Sequence, residues 1–336
     1  MKKIKPGHKK RIFVFFQCPG TDLVAHQYEL LKIKGIEWTY CANHIRTWSD
    51  YARPQPEHLK WTTYYEPGKY DLALLHIDQQ CVLDELGKSQ LYRDLRKIIK
   101  DIPIIVINHG TPCYPEMIEW EECKKQMRKL VGDVPMVVNS HQAKEDWGWG
   151  IPIIHGIDSS EWKDEIKEPR CVTFVSQAGI GTKYYGRSML SNTKRILKDD
   201  YGIQHIWIGS SEYIPHGIEE YKNFIGRSLV YFNPTYGSPM PRSRTEAMLS
   251  GSCIVTTRHH DADSFIEDGV NGYICKDNPE DAAKIIADCI KNYKKTVKIG
   301  QEGKKTAMKL FSPERFQKNW LDLIHQVLNK NNQWKE

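Results

Sequence analysis

The stretch Tyr231–Gly251 gathers the residue types that hold a phosphorylated ligand. An apolar run ends at Asn233-Pro234, a Gly/Pro loop follows, and a helix is expected from near Ser243 with Glu246 in its first turn. A carboxylate there suits the two hydroxyls of a ribose, while the helix N-terminus suits phosphate. Glu246 would equally complement the helix dipole. A second candidate is the segment Gln177–Arg187, with Gly179, Gly181, Lys183, Gly186 and Arg187. Its glycines expose backbone N–H groups, Lys183 supplies a point charge, and a helix from about Gly186 adds its positive end, which together suit a diphosphate. Gly20, in Gln17-Cys18-Pro19-Gly20-Thr21, lets the backbone approach a ligand, although this is no G-x-G-x-x-G fingerprint. His76 and His109 each stand at the end of an apolar run, where His109 could contact a sugar hydroxyl or steady developing charge. The loop Arg258–Asp263 contains His259, His260 and Asp261, but adjacent ligands on one loop seldom converge on an ion, so it is expected to line a cleft and no metal is expected.

These residues need elements to position them. Short, continuous apolar runs alternate with helical patterns. Strands are expected at 11–16, 36–41, 71–77, 103–108, 135–139 and 151–154, then at 171–176, 205–209, 229–233, 253–257 and 272–275. Continuous rather than alternating apolar residues indicate strands buried on both faces, as in parallel sheets. In Pro279–Tyr293 the apolar residues recur at helical spacing, with Asn278 as cap and Pro279 at the first position. Ser312-Pro313 opens a last helix whose apolar face is Phe316, Trp320, Leu323, Ile324, Val327 and Leu328. Two βα series predict an α/β chain of two Rossmann-like domains, with ligands beyond the carboxyl ends of the strands.

Composition narrows the classes. A chain of 336 residues exceeds the about 250–300 at which a single core stops growing. Charged residues at 27% beside 17 Tyr and 10 Trp exclude a disordered chain. Apolar runs stay far below the ~20 residues of a membrane span, and none follows the basic N-terminus, so a cytoplasmic protein is expected. The nine cysteines are dispersed, with no C-x-x-C pair, and read as reduced thiols. The net charge of +6 is modest, and nucleic acid is not an expected partner. Lysine clusters at Lys2–Arg11 and Lys291–Lys309 read as solvated faces or as contacts to an anionic membrane surface.

Pro234-Thr235 to Glu246-Ala247-Met248, then Gly251, Ile254–Thr257 and Glu267–Tyr273, resemble the C-terminal domain of family-4-like retaining glycosyltransferases with the GT-B fold (glycosyl transferases group 1). Val137–Ser140 and Ile153–Asp158 resemble the segment of that family that enters the interdomain linker. The resemblance implies two Rossmann-like domains facing across a cleft, a nucleotide-sugar donor such as a UDP- or GDP-sugar, and no cofactor or metal. It implies that Glu246 holds the nucleotide ribose and that the loop Ser238, Pro239, Met240, Pro241 to Ser243 helps hold the diphosphate. Lys183 matches the second of a basic pair, and His109 matches a histidine near the transferred sugar. Two positions depart from the pattern: Ser238 stands where a donor-contacting Glu is usual, and Gln177 where Arg is usual. Arg242 and Arg244 could restore positive charge near the diphosphate.

The expected organisation is an acceptor domain over 1–157, a donor domain over 158–311, and a helix over 312–336 that packs back on the first domain. The expected function is transfer of a sugar, with retention, to a glycan, a lipid-linked or another hydroxyl acceptor. The alternatives are a non-catalytic sugar-nucleotide-binding homologue, which Ser238 favours, and a sugar-nucleotide epimerase of the same fold.

Overall fold

The computed structural model describes residues 11–17, 24–41, 53–82, 88–112, 119–175 and 185–333. The first βα series comprises β1 (Ile12–Gln17), α1 (Val24–Leu31), β2 (Ile36–Cys41), β3 (Lys60–Thr62), β4 (Leu72–Ile77), α2 (Lys88–Ile98), β5 (Ile104–Asn108), α3 (Trp120–Val131), β6 (Met136–Val138), α4 (His141–Trp147) and β7 (Ile151–Pro152). Its strands form a parallel sheet in the order β3-β2-β1-β4-β5-β6-β7. The continuous apolar runs explain the arrangement: every residue of β4 and β5 is buried, which requires helices on both faces.

The second series comprises β8 (Glu168–Phe174), α5 (Arg187–Tyr201), β9 (His205–Ile208), α6 (Ile218–Gly226), β10 (Ser228–Asn233), α7 (Arg242–Leu249), β11 (Cys253–Thr256), α8 (Ala262–Phe265), β12 (Tyr273–Ile274), α9 (Pro279–Lys291), α10 (Tyr293–Leu310) and α11 (Pro313–Gln333). The sheet order β12-β11-β10-β8-β9 reverses direction between β8 and β10. That reversal opens a crevice at the carboxyl ends of these two strands.

Strand β3 has no counterpart among the expected strands. It is a three-residue edge strand, largely exposed, and carries no apolar run. Asn278 caps α9 as its position suggests, its side chain accepting the Asp281 N–H at 2.7 Å. The helix stops at Lys291, and Asn292 separates it from α10, whose Lys294, Lys295, Lys298, Lys305 and Lys309 form a solvated face.

The apolar face of α11 is buried on the first sheet: Phe316, Trp320, Leu323, Ile324 and Val327 join Val14, Phe16, Leu74 and Ile107 in one core. Burying each such side chain contributes about 2 kcal/mol relative to leaving it in water. Trp38 and Tyr65 are also core residues, whereas Trp61 and Tyr64 are exposed near the β3 edge. The seven cysteines among the described residues are buried.

Candidate functional site

The loop after β10 runs back along the crevice and starts α7 at Arg242, one residue before the expected Ser243. Pro241 precedes the helix and fixes the chain's entry, and Met240 adopts a left-handed backbone with φ 50°. Gly251, at φ 73°, follows the C-terminus of α7. On the β8 side, Gly186 stands at the N-cap of α5 with φ 70°, and a Cβ there would lie 1.9 Å from the Pro234 carbonyl oxygen. Only glycine permits both that φ and that approach, so α5 begins against the end of β10. Gly20, Lys183 and Gln177 lie outside the described residues, as does the lysine-rich segment before Arg11.

Glu246 lies in the second turn of α7 and is 4% exposed. Its Oε1 stands 2.7 Å from Nη2 of Arg53 and 3.4 Å from Nε of Arg242, and its Oε2 accepts the Tyr221 hydroxyl at 2.8 Å. Burial works against the charge of Arg53, and the carboxylate of Glu246 more than offsets it, so the guanidinium holds its proton more tightly than usual. Burial, with Glu246 beside it, pushes the Tyr221 hydroxyl well above the usual tyrosine range. Arg242 reaches Glu29 of α1 at 3.5 Å, and Lys32 joins Glu29 to Glu161 at 3.4 and 2.7 Å. A chain of alternating charges thus runs from α1 through the linker to α7.

Arg244, one of the expected phosphate ligands, is fully buried. Its Nη2 donates to the His260 carbonyl at 2.8 Å and its Nη1 to the His259 carbonyl at 3.3 Å, and the guanidinium lies 5.0 Å from the Phe265 ring centroid. Burial pulls its pKa down to about 10, and the cation serves to hold the 259–260 loop. Ser243 Oγ accepts the Tyr231 hydroxyl at 2.7 Å.

Ser238, Pro239, Met240 and Pro241 line the turn above α7, with Ser238 half-buried. Across the cleft, the Thr111 hydroxyl donates to the Gly237 carbonyl at 2.7 Å, which fixes this loop against the first sheet.

His109, at the end of β5, also faces the cleft. Its Nε2 lies 2.8 Å from His76 Nδ1, its Nδ1 lies 3.2 Å from Asn139 Nδ2, and the two imidazoles are stacked with centroids 5.1 Å apart. Burial holds both rings neutral, His109 down to about 4. Both nitrogens of His109 are therefore engaged by the first domain, and a sugar contact would require one of these bonds to open.

The His259–Asp261 loop meets the start of α4, where Asp261 accepts the backbone N–H groups of His141 and Gln142. His260 and Asp261 have φ of 62° and 58°. Among the described residues, no group of three or more His, Cys, Asp or Glu is placed to hold a metal ion. Nor is any helix among them long and apolar enough to cross a membrane.

Arg53 and Tyr221 are the site residues that the sequence did not point to. Arg53 lies in no periodic run, and 193 positions separate it from Glu246.

Two parallel α/β sheets facing across a cleft, with a carboxylate-bearing helix at the second sheet's switch point, define the GT-B class of α/β proteins. Residues 191–306 match the family model of the glycosyl transferases group 1. Spore coat protein SA of Bacillus subtilis (strain 168) is 26% identical over 152 residues, which cover 44% of this chain and 40% of that protein. The chain thus aligns with less than half the length of that curated relative. Among solved structures, Anabaena HepE in complex with UDP and glucose superposes with a TM-score of 0.68 at 14% identity, covering 94% of this chain and all of that one. Sucrose-phosphate synthase from Thermosynechococcus elongatus gives a TM-score of 0.69 at 13% identity, covering 95% and 100% of the two chains.

Proposed function

We propose that this protein is a retaining glycosyltransferase that moves a sugar from a nucleoside diphosphate sugar, a UDP- or GDP-sugar, to a hydroxyl acceptor on a glycan or lipid. The observation that carries the reading is the Glu246 carboxylate, set on α7 at the β8/β10 switch point within the segment matching the family model. HepE, solved with UDP-glucose as well as with UDP and glucose, supports a uridine donor as the first to try.

In this reading Glu246 accepts the ribose hydroxyls. The backbone of the Ser238–Ser243 turn and the N-terminus of α5 face the diphosphate and stabilise the charge that develops as the bond from sugar C1 to the phosphate oxygen breaks. That bond's electron pair leaves with the diphosphate. The acceptor oxygen forms its bond to C1 from the same face, and its proton passes to the departing phosphate oxygen. No protein nucleophile and no metal is needed. Closure of the two sheets excludes the water that would otherwise hydrolyse the donor. A cytoplasmic location, with the lysine faces at an anionic membrane surface, suits a lipid-linked acceptor.

The test is a thermal-shift panel of UDP, GDP, ADP, dTDP and CMP on wild type and Glu246→Ala, each against its own ligand-free baseline. A ligand at 100 times its dissociation constant stabilises by about 2.7 kcal/mol. A shift by one nucleotide that Glu246→Ala abolishes supports the donor site; no shift by any of them overturns it. The anomeric configuration of product made from the matching sugar nucleotide, read by NMR, tests retention. Ser238 favours a second reading, a non-catalytic homologue that binds the nucleotide and turns nothing over. An epimerase would instead convert the donor with no acceptor present.

A further inference from the structure

The carboxylate assigned to the ribose already has an occupant. Arg53 enters from the first domain, between β2 and β3, and its Nη2 sits 2.7 Å from Glu246 Oε1. The residue is 3% exposed, and its guanidinium lies over the Trp162 ring, 5.6 Å from the centroid. With Tyr221 on Oε2, both carboxylate oxygens are engaged.

We infer that Arg53 is a built-in stand-in for the nucleotide ribose: it holds Glu246 in the unliganded protein, and a ribonucleoside diphosphate must displace it to bind. This rests on the donor-site reading of Glu246. Two chemical facts support it. A guanidinium offers paired N–H donors to a carboxylate, and a ribose offers two O–H donors, so the two compete for the same lone pairs. A buried carboxylate is costly unless its oxygens are closely paired, and Arg53 supplies the close charged partner of Oε1 while the site is empty. Arg242, 3.4 Å from the same oxygen, stays beside Glu246 on the same helix when Arg53 leaves. Measured nucleotide affinity is then the intrinsic affinity scaled by the fraction of molecules in which Arg53 has moved away. Arg53 therefore sets how tightly the second domain takes its donor, although it belongs to the first.

The experiment is calorimetric titration of wild type, Arg53→Met and Arg53→Lys with uridine and UDP, or with the nucleoside and diphosphate of whichever base wild type prefers. Methionine keeps an apolar stem against Trp162 without the donors. Arg53→Met should bind the nucleoside at least tenfold more tightly than wild type, a gain of about 1.4 kcal/mol. Arg53→Lys, which keeps the charge but lacks the fork, should fall between them. Equal affinities overturn the inference, and weaker nucleoside binding by Arg53→Met also overturns it, because Arg53 would then hold the ligand. Should Arg53→Met fail to fold, Arg53→Lys carries the test: tighter nucleoside binding supports the stand-in, equal or weaker binding overturns it. The two readings fail separately. Absence of binding by wild type and every variant removes the donor site itself, whereas wild-type binding that Glu246→Ala abolishes and Arg53→Met leaves unchanged removes only the stand-in.

Discussion

The carboxylate of Asp261, in the second domain, accepts the backbone N–H of His141 at 2.8 Å and, through its other oxygen, that of Gln142 at 2.7 Å. Ser140 takes the next amide, from Ala143, at 2.9 Å. The first three amides of α4 are thus satisfied, two of them from across the cleft. The Gln142 side chain returns a bond to the His260 N–H. This contact closes one side of the cleft, and Asp261 adopts a left-handed φ of 58° to make it. Asp261→Ala should lower stability by about 1–3 kcal/mol in urea unfolding, since it removes a charged acceptor and leaves a strained φ. Asp261→Asn should lose less, because asparagine tolerates that φ and keeps one acceptor.

The Arg53–Glu246 pair predicts a strong thermodynamic coupling. Glu246→Ala leaves Arg53 and Arg242 as buried cations and should destabilise by about 3–5 kcal/mol. Arg53→Ala leaves the carboxylate with Tyr221 and the more distant Arg242 alone and should also destabilise. The double variant should be less destabilised than the sum of the two, by about 1–3 kcal/mol in a double-mutant cycle. Additive effects would show that the pair carries no net energy.

Stability should depend on pH through the buried histidines. His109 is held down to about 4 and His205 to about 3, both mainly by burial. Folded values below the unfolded 6.5 mean that the unfolded chain binds more protons as pH falls. The contribution is therefore complete above pH 6.5 and is lost as pH drops from there toward 4 and 3. Each histidine adds up to about 1.4 kcal/mol of slope per pH unit in that window. Urea midpoints from pH 7 to 4 should fall, and His205→Gln should flatten the slope.

Gly186→Ala should damage fold and site together. The added Cβ meets the Pro234 carbonyl, and the φ of 70° is strained for alanine. A loss of more than about 1 kcal/mol is expected. Nucleotide affinity should fall with it, because α5 can no longer start against the end of β10.

Much of this was legible along the chain, for identifiable reasons. The runs at 103–108 and 229–233 read as strands because strands covered on both faces need no polar alternation, and each appears within a residue of its expected bounds. Strand β3 was not legible because Lys60-Trp61-Thr62 pairs at an exposed edge, where backbone bonds rather than apolar contacts make the strand. Glu246 was legible from its place after a strand and loop. Its partner was not, since Arg53 is brought there only by the docking of two domains. Arg244 shows the reverse: two positions from Glu246, it lies on another face of α7, and its charge alone suggested a phosphate ligand. The side chain instead turns to the carbonyls of His259 and His260.

The seating of α11 bears on how this protein can be made. Val14 and Phe16, near the start of the chain, share a core with Phe316 and Trp320, near its end. On a ribosome, the first sheet emerges long before the helix that seals it. Until then an apolar face of that sheet stays open to chaperones, to aggregation, or to the wrong helix of its own chain. The second domain, which lies wholly between these two segments, can complete its own core first. Synthesis order and folding order are therefore inverted here: the half translated first is the half that must wait.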